Sequence, residues 1–141
     1  MPTRLLWFLV IPWGLFLLSL FLPVFLFEDN PPLLGIWVLL WGWGGLLTSN
    51  FAWLATPLFF ISTFFAVRRR FTPAFRTAVI SVLVGLLAFF SEAWWFDEAS
   101  GTPITGFATG FYLWLASLAA LSVVTALLFS LARRARTAPL P

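Results

Sequence analysis

Residues 33–67 read LLGIWVLLWGWGGLLTSNFAWLATPLFFISTFFAV, 35 residues without a charge, closed by Arg68-Arg69-Arg70. As one helix this stretch would run about 52 Å. A hydrocarbon core is about 30 Å thick, so the run is too long for one crossing and too short for two. The break is expected at Gly42-Trp43-Gly44-Gly45. The reading is therefore an interfacial or re-entrant segment over 33–43 and a membrane span over 46–67. Trp37, Trp41 and Trp43 suit the first piece, because indole rings favour the headgroup level. Pro57 is expected to kink the second.

Working outward, residues 5–27 form an uncharged run in which Pro12 and Pro23 are expected to kink the helix or end its last turn early. At 23 residues it exceeds the roughly 7–15 of a signal-peptide apolar region, and bulky Phe25-Leu26-Phe27 precedes Glu28 where a cleaved leader would carry small residues. It is expected to stay as the first span. Two further spans are expected over 74–96 and 104–131. The predicted fold is thus all-α: one transmembrane domain over 1–141, a four-helix bundle with a short interfacial or re-entrant segment before the second span.

The charges fix the count and the orientation. Arg4, Arg68, Arg69, Arg70, Arg76, Arg133, Arg134 and Arg136 all fall on one side of a four-span topology. Glu28, Asp29, Glu92, Asp97 and Glu98 all fall on the other. Splitting 33–67 into two full spans would put Glu28 beside the triple Arg and destroy this separation. Basic loops are retained in the cytoplasm, so the expectation is a multi-pass protein of a bacterial inner (plasma) membrane with both termini cytoplasmic. Arg is the only basic residue, and the richness in Leu, Ala, Phe and Pro suits a high-GC bacterial genome.

Composition excludes a good deal. The chain is 62% hydrophobic and 9% charged, against about 25% charged for soluble domains, so it cannot build a polar shell. The Arg residues cluster at the ends of apolar runs and leave no basic face for nucleic acid. Without Cys or His, disulfides, thiolate chemistry, Cys-His metal sites, His-ligated haem and His acid–base catalysis fall away. No catalytic group, metal set or cofactor fingerprint is found, so no enzyme activity and no cofactor are expected. Ser91 lacks a base and an oxyanion motif, and Asp97-Glu98 lack further oxygen ligands at calcium-loop spacing.

Counting along helices from the Arg anchors places the remaining polarity in one layer. At 1.5 Å per residue, Glu92 lies about 24 Å from Arg76, Asn50 about 27 Å from Arg68, and Tyr112 about 31 Å from Arg133. Thr48, Ser49, Ser91 and Thr109 share that level. An acid within a span is a functional-site hypothesis by default, so this layer is the candidate ligand or ion pathway, open to the periplasm, although Glu92 lies near the edge of the span and not at its midplane. The bland alternative is that Glu92 snorkels to the interface while the hydroxyls and the amide join helices. Gly106 and Gly110, extended by Ala116, Ser117 and Ala120, form a small-residue face expected to pack the fourth helix closely against a neighbour. The nine Trp read first as interfacial belts, with Trp53 and Trp114 deeper. The sharper reading is a ring-stacking groove for a lipid, a quinone or a glycan.

Three stretches carry a resemblance: Leu20-Phe21-Leu22-Pro23; Phe51-Ala52-Trp53-Leu54-Ala55-Thr56-Pro57; and Ile104-Thr105-Gly106 through Gly110-Phe111-Tyr112-Leu113-Trp114-Leu115-Ala116-Ser117. Together they resemble a group of small, uncharacterised bacterial inner-membrane proteins with four predicted spans. That resemblance implies topology and compartment and carries no activity. Small multidrug transporters are similar only in size, since their embedded Glu lies in a first helix that is uncharged here; fluoride channels fail for want of their polar motifs. The expected role is a non-enzymatic structural or accessory subunit acting through protein–protein or protein–lipid contacts. Its expected partners are the bilayer and a homo-oligomer or larger membrane complex. A small transporter or channel around Glu92 is the alternative, and a lipid-modifying enzyme the second.

Overall fold

The computed structural model describes residues 3–48, 50–96 and 101–137, with backbone only for Thr3, Arg4, Thr48 and Arg136. The chain is 74% helix, which places it in the all-α class. The α-helices are α1 (Val10–Leu20), α2 (Gly35–Trp41), α3 (Ala55–Val67), α4 (Phe71–Leu86) and α5 (Thr109–Thr137). Stretches of 3-10 helix occupy Thr3–Leu9, Gly42–Thr48, Ala52–Leu54 and Leu87–Phe90. Five short strands gather at one end: β1 (Pro23–Leu26), β2 (Leu33–Leu34), β3 (Ala93–Trp94), β4 (Thr102–Pro103) and β5 (Gly106–Phe107). The antiparallel order is β2-β1-β5, with β3-β4 a separate ribbon.

Several helices differ in extent from the sequence expectation, each for a local reason. The run 5–27 is helical only to Leu20. Pro23 has no N–H to extend the ladder and disfavours the helical region for Leu22. The last turn therefore tightens, with Phe21 N bonded to Leu18 O at 3.2 Å and Leu22 N to Ser19 O at 3.4 Å. Val24 and Phe25, β-formers both, then enter the sheet and are buried there. Pro12 produces no break; it lies in the first turn of α1, where the upstream chain is already 3-10.

The break in 33–67 is displaced too. Gly42 ends α2, but the chain stays helical as 3-10 to Thr48, and the next turn begins at Asn50. There Asn50 Oδ1 accepts the Ala52 N–H at 3.1 Å, a side-chain turn that sets the start of the following helix. Pro57 therefore falls in the first turn of α3, where its missing donor costs nothing, and it is not an interior kink. Likewise α4 gives way at Leu87 to 3-10 and then to β3, so Glu92 lies beyond the helix. The fourth helix begins at Thr109, not 104, because Gly106 and Phe107 pair with Leu26 and Phe25 as β5.

α5 packs against α1 and against α4, and α4 packs on α3. Rings close α1 on α3: Phe16 stacks on Phe59 with centroids 5.0 Å apart, and Trp13 meets Phe59 edge-on at 5.4 Å. The α3–α4 contact is a seam of small residues in 4-3-4 spacing. Ala55, Phe59, Ser62 and Ala66 face Ala74, Ala78, Ser81 and Gly85, all buried. Ser62 Oγ donates to Ala74 O and Ser81 Oγ to Ala55 O, both at 2.8 Å. The expected small-residue face of the last helix is divided instead. Gly106 is in a strand, Ala116 is exposed, Ala120 is half-buried, and Ser117 is buried with its hydroxyl on Trp114 O at 2.6 Å. Only Gly110 permits a backbone approach there: a Cβ would lie 2.6 Å from Pro23 O and 2.7 Å from Leu22 O.

The opposite end is basic. Arg68, Arg69 and Arg70 make the α3–α4 turn, with Arg69 in the left-handed region at φ 57°. The Arg68 guanidinium sits 5.0 Å from the Phe64 ring centroid. Arg69, Arg70 and Arg133 line one groove with Phe129; Arg76 and Arg134 are exposed. The side chain of Arg136 lies outside the described residues. Two helical stretches, Phe71–Phe90 and Thr109–Ala135, are long and apolar enough to cross a membrane, while Leu5–Leu20, Gly35–Leu47 and Ala52–Val67 are shorter.

The seam makes a direct prediction. A side chain at Gly85 meets Leu118 Cδ1 at 2.5 Å and Ala55 Cβ at 3.6 Å. Gly85→Leu should lower stability by about 1–3 kcal/mol or more through overpacking. Gly14, with nothing within 4 Å of its would-be Cβ, should accept Ala and gain up to about 1 kcal/mol of helix propensity. Thermal unfolding followed by circular dichroism checks both; an unchanged midpoint for Gly85→Leu would sink the seam.

Candidate functional site

The strand-bearing end is hollow. A cleft of about 950 Å³ opens between α2 with its 3-10 continuation, the strands, and the ends of α1, α3, α4 and α5. Seven of the nine Trp line it: Trp37, Trp41, Trp43, Trp53, Trp94, Trp95 and Trp114. The lining is graded. Phe16, Thr56, Ala52, Ala88 and Phe111 at the floor are buried, whereas Trp37, Trp41, Trp43 and Trp95 at the rim are each about half exposed, from 48% to 60%.

Its walls are held by polar groups that are spent on one another. Asn50 Nδ2 donates to Ser91 Oγ at 2.6 Å, tying the start of α3 to the end of α4. Trp53 Nε1 donates to Leu39 O at 3.0 Å, fastening α2 down. Gly42 allows this, since its would-be Cβ lies 2.5 Å from Trp53 Cδ1 and the indole rests against the bare backbone. Trp114 Nε1 donates to Thr56 Oγ1 at 3.2 Å, and Ser19 Oγ to Phe16 O at 2.6 Å. Aromatic contacts back the lining: Phe107 stacks on Phe111 at 4.3 Å, and Phe25 meets Trp94 at 6.0 Å.

The predicted polar layer is only partly assembled here. Asn50 and Ser91 come together and line the cleft. Glu92 is exposed and is not among the lining residues; its carbonyl accepts the Ile104 N–H at 2.9 Å. Thr109 and Tyr112 are exposed on α5 and outside the lining. Ser49, Asp97, Glu98 and the side chain of Thr48 lie outside the described residues, among which no three His, Cys, Asp or Glu gather as a metal-binding group. The dispersal has a backbone cause: the chain leaves the helix before Glu92 and enters it again only at Thr109.

Sequence reasoning missed the containing shape, not its main lining. The Trp residues were visible as a class, and Gly42-Trp43-Gly44-Gly45 was visible as a break. What joins them is Trp53, whose ring needs the missing side chain at Gly42, a contact with no periodic signature. The Asn50–Ser91 bond is testable. Asn50→Ala removes both that bond and the turn onto Ala52, and should lower stability by about 1–2 kcal/mol. Tyr112→Phe, at an exposed position, should stay within about 0.5 kcal/mol. Equal thermal midpoints for Asn50→Ala and the parent would show that the amide holds nothing. No family model, curated protein or solved structure matches this chain.

Proposed function

We propose that this is an integral protein of the bacterial inner membrane, crossing it four times with both termini in the cytoplasm, and that its work is non-enzymatic. It serves as a structural or accessory subunit through contacts with lipid and with partner protein, as a homo-oligomer or in a larger membrane complex. The topology is supported by charge: Arg68–Arg70 make the turn between α3 and α4, Arg76 lies in the second turn of α4, and Arg133, Arg134 and Arg136 lie at the end of α5, while Glu28, Asp29 and Glu92 accompany the strands. Exposed apolar surface points the same way. Leu47 is 83%, Phe90 79% and Phe21 75% exposed, in a chain whose outward residues are largely apolar, where a soluble monomer keeps such patches to a few hundred Å². The shorter stretches Leu5–Leu20 and Ala52–Val67 would cross beside α4 and α5. Their non-helical continuations are paired or packed, as membrane-depth backbone must be.

The observation that carries the functional reading is the tryptophan-lined cleft. An apolar concavity of 300–1,000 Å³ with few convergent polar groups is the form of a binding site, and here the polar groups hold the walls. A transport pathway through Glu92 is the weaker reading, because that carboxylate stands outside the cleft. A lipid-modifying enzyme is weaker again, since Glu92 has neither a base nor an acid partner described beside it.

Reporter fusions test the topology. Alkaline phosphatase should be active when fused after Asn30 or Gly101 and inactive after Arg70 or Thr137, with the reverse pattern for a cytoplasmic fluorescent reporter. Native mass spectrometry from mild detergent tests the role, with retained lipid or partner protein expected at fixed stoichiometry. A bare monomer that retains neither would overturn the accessory reading.

A further inference from the structure

The basic end holds a second concavity, a groove of about 310 Å³ between the α3–α4 turn, the first turn of α4 and the end of α5. Three observations converge on it. The first is charge. Arg69, Arg70 and Arg133 line the groove, and no carboxylate side chain answers them. The chain's five acids are Glu28, Asp29, Glu92, Asp97 and Glu98, none of them on the elements that make the groove. Like charges gathered in one place repel, and a bound anion reverses the sign of that interaction. The second is backbone strain. Arg69 N–H donates to Ala66 O at 2.9 Å and Arg70 N–H to Phe65 O at 2.8 Å, closing α3 with Arg69 at φ 57°. That position usually falls to glycine, because a side chain there crowds the neighbouring carbonyl. Among the described residues Arg69 is the one non-glycine residue held so, and retained strain points to a use for the side chain. The third is place. The two helical stretches long and apolar enough to cross a membrane meet the groove, Phe71–Phe90 at its start and Thr109–Ala135 at its end. Beside the arginines the lining is apolar, with Phe71, Pro73, Phe129 and Ala132.

From these we infer that the groove binds the phosphate head group of one anionic phospholipid, drawn from the cytoplasmic leaflet; this rests on the reading that the basic end faces the cytoplasm. Guanidinium forks match phosphate oxygens in pairs, so Arg69, Arg70 and Arg133 hold the phosphate. The glycerol and the upper part of the chains lie against Phe129 and Ala132. Basic pockets between spanning helices on the cytoplasmic side are the form that such sites take. A zwitterionic lipid brings a cation of its own to three unanswered arginines. Free phosphate answers the arginines but leaves the apolar half of the lining uncovered. A partner helix is too thick. With side chains it is about 10–12 Å across and rises 1.5 Å per residue, so this volume holds only about two or three residues of it.

The test titrates the full chain, in neutral detergent, by calorimetry. The titrants are short-chain phosphatidylglycerol, phosphatidylcholine of the same chains, inorganic phosphate and a phosphoserine peptide. Phosphatidylglycerol should bind at one site per chain, at least about tenfold more tightly than phosphatidylcholine, and inorganic phosphate should not displace it. Arg133→Gln should weaken phosphatidylglycerol about fivefold, the effect of one basic residue at an anionic surface. Arg134→Gln removes the same charge from outside the lining, and at physiological salt it should change the affinity by less than about twofold. Arg69→Gly should weaken binding as Arg133→Gln does, yet raise the thermal midpoint by about 2–4 °C, since glycine takes the left-handed position freely. All three positions are exposed, and circular dichroism reports that each variant folds. Equal affinity for the two lipids, equal losses in Arg133→Gln and Arg134→Gln, or displacement by inorganic phosphate overturns the assignment. So does an Arg69→Gly chain that binds as the parent does or melts no higher, or a phosphoserine peptide that binds more tightly than the lipid. Failure of the full chain to float with vesicles would instead count against the membrane reading itself, which the titration in detergent does not presuppose.

Discussion

A helix that stops leaves peptide groups without partners, and in a chain this apolar water cannot be relied on to satisfy them. Everything at the strand-bearing end answers that constraint. α1 stops at Leu20, and the carbonyls beyond it are taken up one after another: Leu22 O by Gly35 N at 3.1 Å, Val24 O by Ala108 N at 2.9 Å, Leu26 O by Thr105 N at 2.8 Å. α4 stops, and Glu92 O is met by Ile104 N at 2.9 Å. The strands are short because their task is limited. They bridge helices that end at different places, and in doing so they hold the walls of the cleft apart.

Much of this is legible in the residues, and the remainder is not for physical reasons. The uncharged runs and the grouping of Arg against acid are properties of composition along the chain, and they survive any local rearrangement. Pro23 leaves open a kink or an early last turn, and α1 stops three residues before it, at Leu20. What a single sequence cannot show is where the released backbone goes, because β1 pairs with β5 across about 80 residues of chain. Hence 21–27 and 104–108 read as helix by hydropathy alone. The same gap displaced Glu92 and split the small-residue face at Gly106 from Gly110.

The seam between α3 and α4 was legible in principle. Ala74, Ala78, Ser81 and Gly85 repeat at 4-3-4, and so do Ala55, Phe59, Ser62 and Ala66, the spacing of two helices that stay in contact over several turns. Its signal was masked by the larger, more conspicuous apolar residues around it. In the cleft the reverse holds. The aromatic residues are conspicuous, but their arrangement depends on Gly42 yielding space to Trp53 and on the Asn50–Ser91 bond. These are pairwise contacts without periodicity.

The two serine–carbonyl bonds of that seam lie toward its opposite ends and run in opposite senses, Ser62 to Ala74 and Ser81 to Ala55. Sliding α3 along α4 by even a single residue would lengthen both together, and would carry Phe59 out of its place among the small residues. The hairpin is therefore a ratchet with one tooth engaged at each end. Its register is held by two bonds that can only be lost together.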